Sequence, residues 1–300
     1  MLFSFLERIS CILIAGGIEA KDKGSSVGVL TGDLGTIQLP NLPSNIFGSS
    51  AILHNGTMLL CGGRNNYQWC LQLDCGIWKK HSILNDQRGL HSAVTTQTAT
   101  FLFGGCHSKE SYEYLPKDST TWLMGKNEIP GGFRDGYAIA SKSGQEIWLI
   151  GGNETANRII KFDVKNHRFH FLSTQLNVGR RGHRCAIIPG TNKIMITGGI
   201  GISSAFLDST EILDIAEENF TMASPLNPKR VGHGIGIVTI NGKEKMVAFG
   251  GFDDRRTLVD EVQVYNVQTE KWEASDIKLS EPKHNFGFAS VTLKDIIPNF

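Results

Sequence analysis

Long apolar runs are missing from this 300-residue chain: no stretch of eighteen or more uncharged apolar residues occurs. No helix of membrane-spanning length is therefore expected. An excess of one charge is missing too, since 30 Lys and Arg stand against 29 Asp and Glu, a net +1 with histidine neutral. That balance excludes a polybasic nucleic-acid grip and an acidic tail, so no nucleic-acid partner is expected. Proline is scarce at 9 residues and no Gly-X-Y period runs through the chain, which excludes collagen. Six cysteines are too few for a disulfide-dense scaffold. With 40% hydrophobic and 20% charged residues, the chain is too apolar for disorder. Helical periodicity is nowhere sustained.

Glycine is what the chain has in excess, 34 residues, and much of it comes in doublets after short apolar runs. Six such units occur: Ile12-Leu-Ile-Ala-Gly-Gly17, Leu59-Leu-Cys-Gly-Gly63, Phe101-Leu-Phe-Gly-Gly105, Trp148-Leu-Ile-Gly-Gly152, Met195-Ile-Thr-Gly-Gly199 and Val247-Ala-Phe-Gly-Gly251. Their second glycines are spaced 46, 42, 47, 47 and 52 residues apart, so six units nearly fill the chain. Gly131-Gly132 follows Pro130 without an apolar run and reads as a turn. Upstream of the doublets a basic residue precedes His, Tyr or Phe: Arg88-Gly-Leu-His91, Arg134-Asp-Gly-Tyr137, Arg181-Gly-His183, Arg230-Val-Gly-His233 and Lys283-His-Asn-Phe286. Downstream come alternating runs (110–115, 158–164, 209–215 and 260–267) and then an aromatic: Trp78, Trp122, Phe169, Phe220 or Trp272. Each unit thus holds about four short strands separated by turn residues. Met1–Ala15 is broken by Glu7 and Arg8 and has no basic lead, so Cys11–Ala15 reads as a strand rather than as part of a signal peptide.

A small four-stranded sheet has two faces and cannot cover both by itself. Sheets set radially about an axis cover each other, and a recurring Trp or Phe fills the wedge between them. The doublets, the Arg-x-x-His spacing and the late aromatic resemble kelch repeats over nearly the whole chain. The resemblance implies an all-β fold, a six-bladed kelch β-propeller of four-stranded antiparallel blades, with residues 1–300 as one domain. The first unit departs most, with Gly35-Thr-Ile-Gln-Leu39 where the aromatic belongs. Two segments compete to complete that unit: Phe286–Leu293 and Leu2–Leu6. The family resemblance favours the C-terminal one, closing the ring by pairing N- and C-terminal strands.

Catalytic signatures are nearly absent. Gly24-Ser-Ser-Val-Gly28 matches G-x-S-x-G, but it lies between strands and not at a strand-to-helix elbow. No phosphate loop, no complete G-x-G-x-x-G, no C-x-x-C and no H-E-x-x-H exists. His167 and His170 would point to opposite faces of a strand. The Glu-x-x-x-Asp-x-x-x-His motif of iron-assisted kelch proteins is missing, and no set comparable to that of sialic-acid mutarotases is seen. No cofactor, no metal and no enzymatic activity are expected. His91, His183 and His233 recur at one repeat position and read as structural. In kelch propellers the preceding arginine position (Arg88, Arg134, Arg181 and Arg230 here) lies near the channel and bonds backbone carbonyls.

Cys70 and Cys75 bracket a short turn, which makes them a candidate disulfide, and Cys61–Cys70 is a second pairing. Disulfides would imply an oxidising compartment. Three sequons, Asn55-Gly-Thr57, Asn153-Glu-Thr155 and Asn219-Phe-Thr221, point the same way. The second half also resembles divergent, secreted invertebrate kelch proteins, in Gly182-His-Arg-Cys-Ala186 and Leu258-Val-Asp-Glu-Val-Gln-Val-Tyr265. Cytoplasmic and secreted locations stay open at near parity.

The resemblance implies a binding module that recognises a peptide or protein through loops at the propeller mouth. Carried over by position from kelch-like adaptors, the binding residues are Arg64, Asn65, Asn66, His107, Arg134, Asp135, Asn153, Glu154, Asp253 and Asp254, with Glu19 in the first unit. Their mixed signs suit a polar partner of mixed charge. Three readings follow: the substrate-reading part of a cullin ubiquitin-ligase adaptor, a secreted protein binding an extracellular protein or glycan, or a propeller enzyme acting on a sugar.

Overall fold

The computed structural model describes residues 9–19, 24–33, 35–74, 76–292 and 295. Among them no helix is long and apolar enough to cross a membrane. Six four-stranded antiparallel sheets follow one another as the blades of a propeller. Blade 2 runs Ser50–His54, Thr57–Cys61, Trp69–Asp74 and Ile77–Ile83. Blade 3 runs Ser92–Thr95, Ala99–Phe103, Tyr112–Pro116 and Leu123–Met124. Blade 4 runs Tyr137–Ala140, Glu146–Ile150, Ile159–Asp163 and Arg168–Phe171. Blade 5 runs Arg184–Ile187, Lys193–Thr197, Thr210–Asp214 and Asn219–Ala223. Blade 6 runs Gly234–Ile240, Lys243–Phe249, Glu261–Asn266 and Lys271–Lys278.

Blade 1 is shared between the ends of the chain. Gly287–Thr292 is its inner strand, paired with Ser10–Ala15 from Ser10↔Thr292 to Ala15↔Gly287, and Val27–Thr31 and Gly35–Leu39 follow outward. The C-terminal segment thus takes the contested position; Leu2–Leu6 lies outside the described residues. This closure covers the two terminal sheet faces that a linear stack of blades would leave exposed.

The core is divided among the wedges. Six buried apolar clusters each join two neighbouring blades. The late aromatic of a blade reaches back into the wedge before it. Trp78 donates its indole N–H to the Pro40 carbonyl at 2.9 Å and Trp122 donates to Ser82 Oγ at 3.0 Å. Phe169, Phe220 and Trp272 pack into the corresponding clusters, while Gly35–Leu39 closes blade 1 without an aromatic.

The chain segment approaching each blade carries one side chain into the wedge: Ile46, Arg88, Phe133, Arg180, Arg230 or Lys283, all 3% exposed or less. Sequence spacing placed Arg134 and Arg181 in this series. The structure shifts it back one residue, to Phe133 and Arg180, because the wedge residue of every blade lies four positions before its inner strand, which starts here at Tyr137 and Arg184. Arg88 Nε meets Glu113 at 2.7 Å, and its Nη1 reaches the carbonyls of Gly104 and Ser111. Arg180 repeats this with Glu211 at 2.7 Å and the carbonyls of Gly198 and Ser209. Each carboxylate also accepts two backbone N–H groups, from Asn85 and Asp86 or from Asn177 and Val178. Blade 4 fills the same place with apolar Phe133 and Ile160 in one cluster.

The disulfide joins Cys61 to Cys70, directly opposite each other in blade 2 and both fully buried. The Cys70–Cys75 pairing is thereby overturned: Cys70 faces inward across the sheet toward Cys61. Cys75 lies outside the described residues.

A double-mutant cycle tests the wedge. Removing one partner of a buried pair leaves an uncompensated charge, which costs about 3–5 kcal/mol. Arg180→Phe should therefore be strongly destabilising, and Arg180→Phe with Glu211→Ile, the combination blade 4 uses, should be no less stable than Arg180→Phe alone. Urea denaturation midpoints measure both.

Candidate functional site

Doublets and approach segments lie at the same end of every blade, so twelve loops meet on one face around the axis. Two backbone patterns organise it. The second glycine of each doublet donates its N–H to the approach segment of the next blade, as in Gly17→Ile46, Gly63→Arg88 and Gly105→Phe133 at 2.7–2.8 Å. Gly152, Gly199 and Gly251 repeat the bond with Arg180, Arg230 and Lys283. Nearer the axis, six residues form a closed ring of hydrogen bonds. Gly48 donates to Asn285, Leu90 to Gly48, Asp135 to Leu90, Gly182 to Asp135, Gly232 to Gly182 and Asn285 to Gly232, at 2.7–3.0 Å. All six have positive φ, from 51° to 68°. For Leu90, Asp135 and Asn285 that conformation costs roughly 1 kcal/mol or more each.

The recurring histidines are structural, and they explain the doublet. A Cβ on Gly62 would sit 2.8 Å from His91 Cε1, and one on Gly105 would sit 3.0 Å from His91 Cβ. His91 therefore threads between the first glycine of one blade and the second of the next. His183, His233 and Phe286 do the same around the ring. Burial, and then the nearby Arg88, holds the His91 imidazole down at about 3. Burial depresses His183 and His233 well below the ordinary range and brings His284 to about 4.

The central channel is nearly filled. Beside the ring a cavity of about 50 Å³ remains, room for one or two waters. The Arg184 guanidinium lies over the rings of Tyr137 and Phe288, 5.8 and 5.9 Å from their centroids, and donates to the His183 carbonyl. Burial in this stack pushes the Tyr137 hydroxyl up to about 12. Asp135 is the one carboxylate among the described residues lining the cavity, so the several carboxylates of a sugar-processing channel are not gathered there. Ser26 of the G-x-S-x-G segment is buried and bonded to Lys283 and Glu19, the blade 1 counterpart of the Arg–Glu pairs. Among the described residues no group of three His, Cys, Asp or Glu is arranged to hold a metal.

The residues expected at the mouth separate into three groups. Arg134 pairs with Glu154 at 3.4 Å, and Asp135 pairs with Arg181 at 3.5 Å, so blades 4 and 5 bring four charges together. Asn153 is exposed beside them. In blades 2 and 3, Arg64 lies over Phe47 at 5.5 Å and His107 packs edge-on against Tyr67. Asn65 donates to the Asn45 carbonyl, and Asn66 donates to the Trp69 carbonyl and shapes its own loop. In blade 6, Asp253 accepts N–H groups of Arg255 and Thr257, again a loop role, while Asp254 is exposed. Glu19 is taken up by Lys283 and Ser26.

Positional transfer did not reach a large depression of this face. A cavity of about 460 Å³ opens between blades 5, 6 and 1, lined by Arg181, Ile200, Phe206, Phe252, Arg256, Leu258 and His284 among others. Its signal in the sequence was a doublet followed by an apolar residue, Gly199-Ile200 and Gly251-Phe252, where a solvated loop would carry a polar one.

Comparison with known proteins agrees with this architecture. Residues 90–300 match the model of the KLHDC2/KLHL20/DRC7 kelch-repeats domain. The chain belongs to this kelch-repeat family. A kelch repeat-containing protein of Dictyostelium discoideum is 26% identical over 152 residues, 49% of this chain. The match spans 22% of that protein's length. The solved structure of YjhT superposes with a TM-score of 0.69 at 13% identity, covering 82% of this chain and 88% of that one, a likeness of fold. The kelch propeller is the fold expected of a protein-interaction module.

The buried histidines set a pH dependence. Their folded-state affinity for protons lies below the unfolded value of about 6.5. Their contribution to stability is therefore complete above pH 6.5 and is lost as the pH falls through the folded values, about 4 for His284 and about 3 for His91, because the unfolded chain takes up protons that the folded chain does not. Urea midpoints should drop across that window. His183→Phe, copying Phe286 of blade 1, should make the drop shallower.

Proposed function

We propose that this kelch propeller is a non-catalytic recognition module that binds a peptide segment of a partner protein across the mouth. The observation that carries this reading is the contrast between the two openings on that face. Inside the hydrogen-bonded ring Arg184, Tyr137 and Phe288 narrow the channel to a cavity of about 50 Å³, while a cavity of about 460 Å³ stands open beside it. Loops carried on rigid blades suit binding, and this volume falls in the range of about 300–1,000 Å³ typical of ligand pockets. A ubiquitin-ligase adaptor reads its substrate through such a face, and the family resemblance supports that form of the reading.

Peptide display tests it. Random peptides of about twelve residues are selected on the intact chain, and hydrogen exchange is compared with and without an enriched peptide. Slowed exchange should appear in the mouth loops 62–69, 104–111, 151–158, 198–209 and 250–260. Protection confined to the turns at the opposite end, such as 54–57 and 163–168, or a failure to select any binder, would overturn the proposal.

A second reading, residence in an oxidising compartment, is favoured by the Cys61–Cys70 bridge and by the exposure of Asn55 and Asn219. Thiol titration of denatured protein from its native source should then find two more thiols with reductant than without. Equal counts would reject this reading.

A further inference from the structure

The cavity between blades 5, 6 and 1 has a distinct chemistry. Its wall is a chain of aromatic contacts, Phe206 edge-on to Phe252 at 5.5 Å and Phe252 edge-on to His284 at 4.5 Å, with Ile200 and Leu258 beside them. His284 is uncharged at neutral pH, because burial holds its imidazole down at about 4. Two guanidinium groups stand at the rim, Arg181 and Arg256, and no carboxylate lines the cavity among the described residues.

The surrounding acids do not neutralise this rim fully. Arg181 already pairs with Asp135 at 3.5 Å, on the channel side. The Asp253 carboxylate is occupied by the backbone of its own loop, and Asp254 is exposed on that loop without lining the cavity. Arg256 is exposed and makes no ion pair among the described residues. Arg256 thus differs from Arg134 and Arg181, each of which is matched by an acid at 3.4 or 3.5 Å.

Apolar walls favour a large apolar side chain, and guanidinium groups favour a carboxylate held beside it. We propose that this cavity takes a Leu, Met or aromatic side chain of a partner peptide whose adjacent Asp or Glu meets Arg181 and Arg256. The inference rests on the peptide-binding reading above and gives it a location and a ligand chemistry.

The displayed peptides decide it. Enriched sequences should carry an acidic residue next to a large apolar one. Synthetic peptides of those sequences, followed by fluorescence polarisation, should lose roughly tenfold or more in affinity with Phe252→Ala. Arg256→Glu should cost a similar factor, and Arg256 is an exposed residue whose replacement leaves the fold intact. That loss should shrink when the peptide's acid is replaced by its amide. Peptides that bind the mouth yet change less than about twofold with both variants, while responding to Arg64→Glu, would overturn this assignment and leave the wider reading standing. A failure to select any binder would overturn both.

Discussion

The propeller depends on how closely neighbouring blades approach at their inner ends. In four of the six approach segments a histidine or phenylalanine (His91, His183, His233 or Phe286) lies against the first glycine of one blade and the second glycine of the next, and in the other two Ser49 and Gly136 stand at that place against the second glycine. A side chain at Gly62 would meet the His91 ring at 2.8 Å and, at 2.6 Å, the Arg88 carbonyl that accepts from the neighbouring Gly63. The doublet is thus a clearance requirement that recurs because the same three-part contact recurs. Positive φ at both glycines lets the second N–H turn toward the next blade. The six-membered hydrogen-bond ring then fixes the approach segments at the axis, and every outward strand is placed relative to it.

The wedge position shows how tolerant the arrangement is once that clearance is met. Blades 3 and 5 use an Arg–Glu pair with satisfied hydrogen bonds. Blade 6 keeps Arg230 but puts Gln263 in the acid's place, which leaves the buried Nε and Nη2 of Arg230 without a hydrogen-bond partner. Burial brings that guanidinium down to about 10. Blade 1 recruits Glu19, from the short strand Ile18–Glu19 that pairs with Lys283–His284, to meet Lys283, since Gly28 occupies the usual acid position. Blades 2 and 4 abandon charge for Ile46 with Leu71 and Phe133 with Ile160. One fold therefore holds both solutions to filling a buried wedge, consistent with the near equivalence of a complete buried ion pair and an apolar replacement.

Function follows from the same geometry. The ring that encircles the channel also lies at the base of the mouth, so the loops around it form a platform. Most mouth charges are used locally: Arg134 by Glu154, Asp253 by its own loop, Glu19 by Lys283. What they leave free is the apolar depression between blades 5, 6 and 1, with Arg256 at its rim beside the Asp135-paired Arg181. A carboxylate beside a large apolar side chain completes that surface.

Much of the fold was legible because its cause is local and repeated. Doublet spacing reported the blade count, strand alternation the four-stranded unit, and the late Trp or Phe the wedges, since each obeys a steric rule that acts within a few residues. The register of the buried arginine was not legible: Arg180-Arg181 and Phe133-Arg134 each offer two readings, and only the turn geometry chooses which residue faces the wedge. The partner of Cys70 was likewise undecided, because strand pairing brings Cys61 opposite it while the chain alone allows a neighbour on either side. The mouth cavity lay furthest from view. Its residues are spread from Arg181 to His284, and no local rule links them. Sequence alone determined the repeat, because glycine clearance is written in each unit; tertiary structure decided the binding surface, because a pocket between blades exists only once the ring has closed.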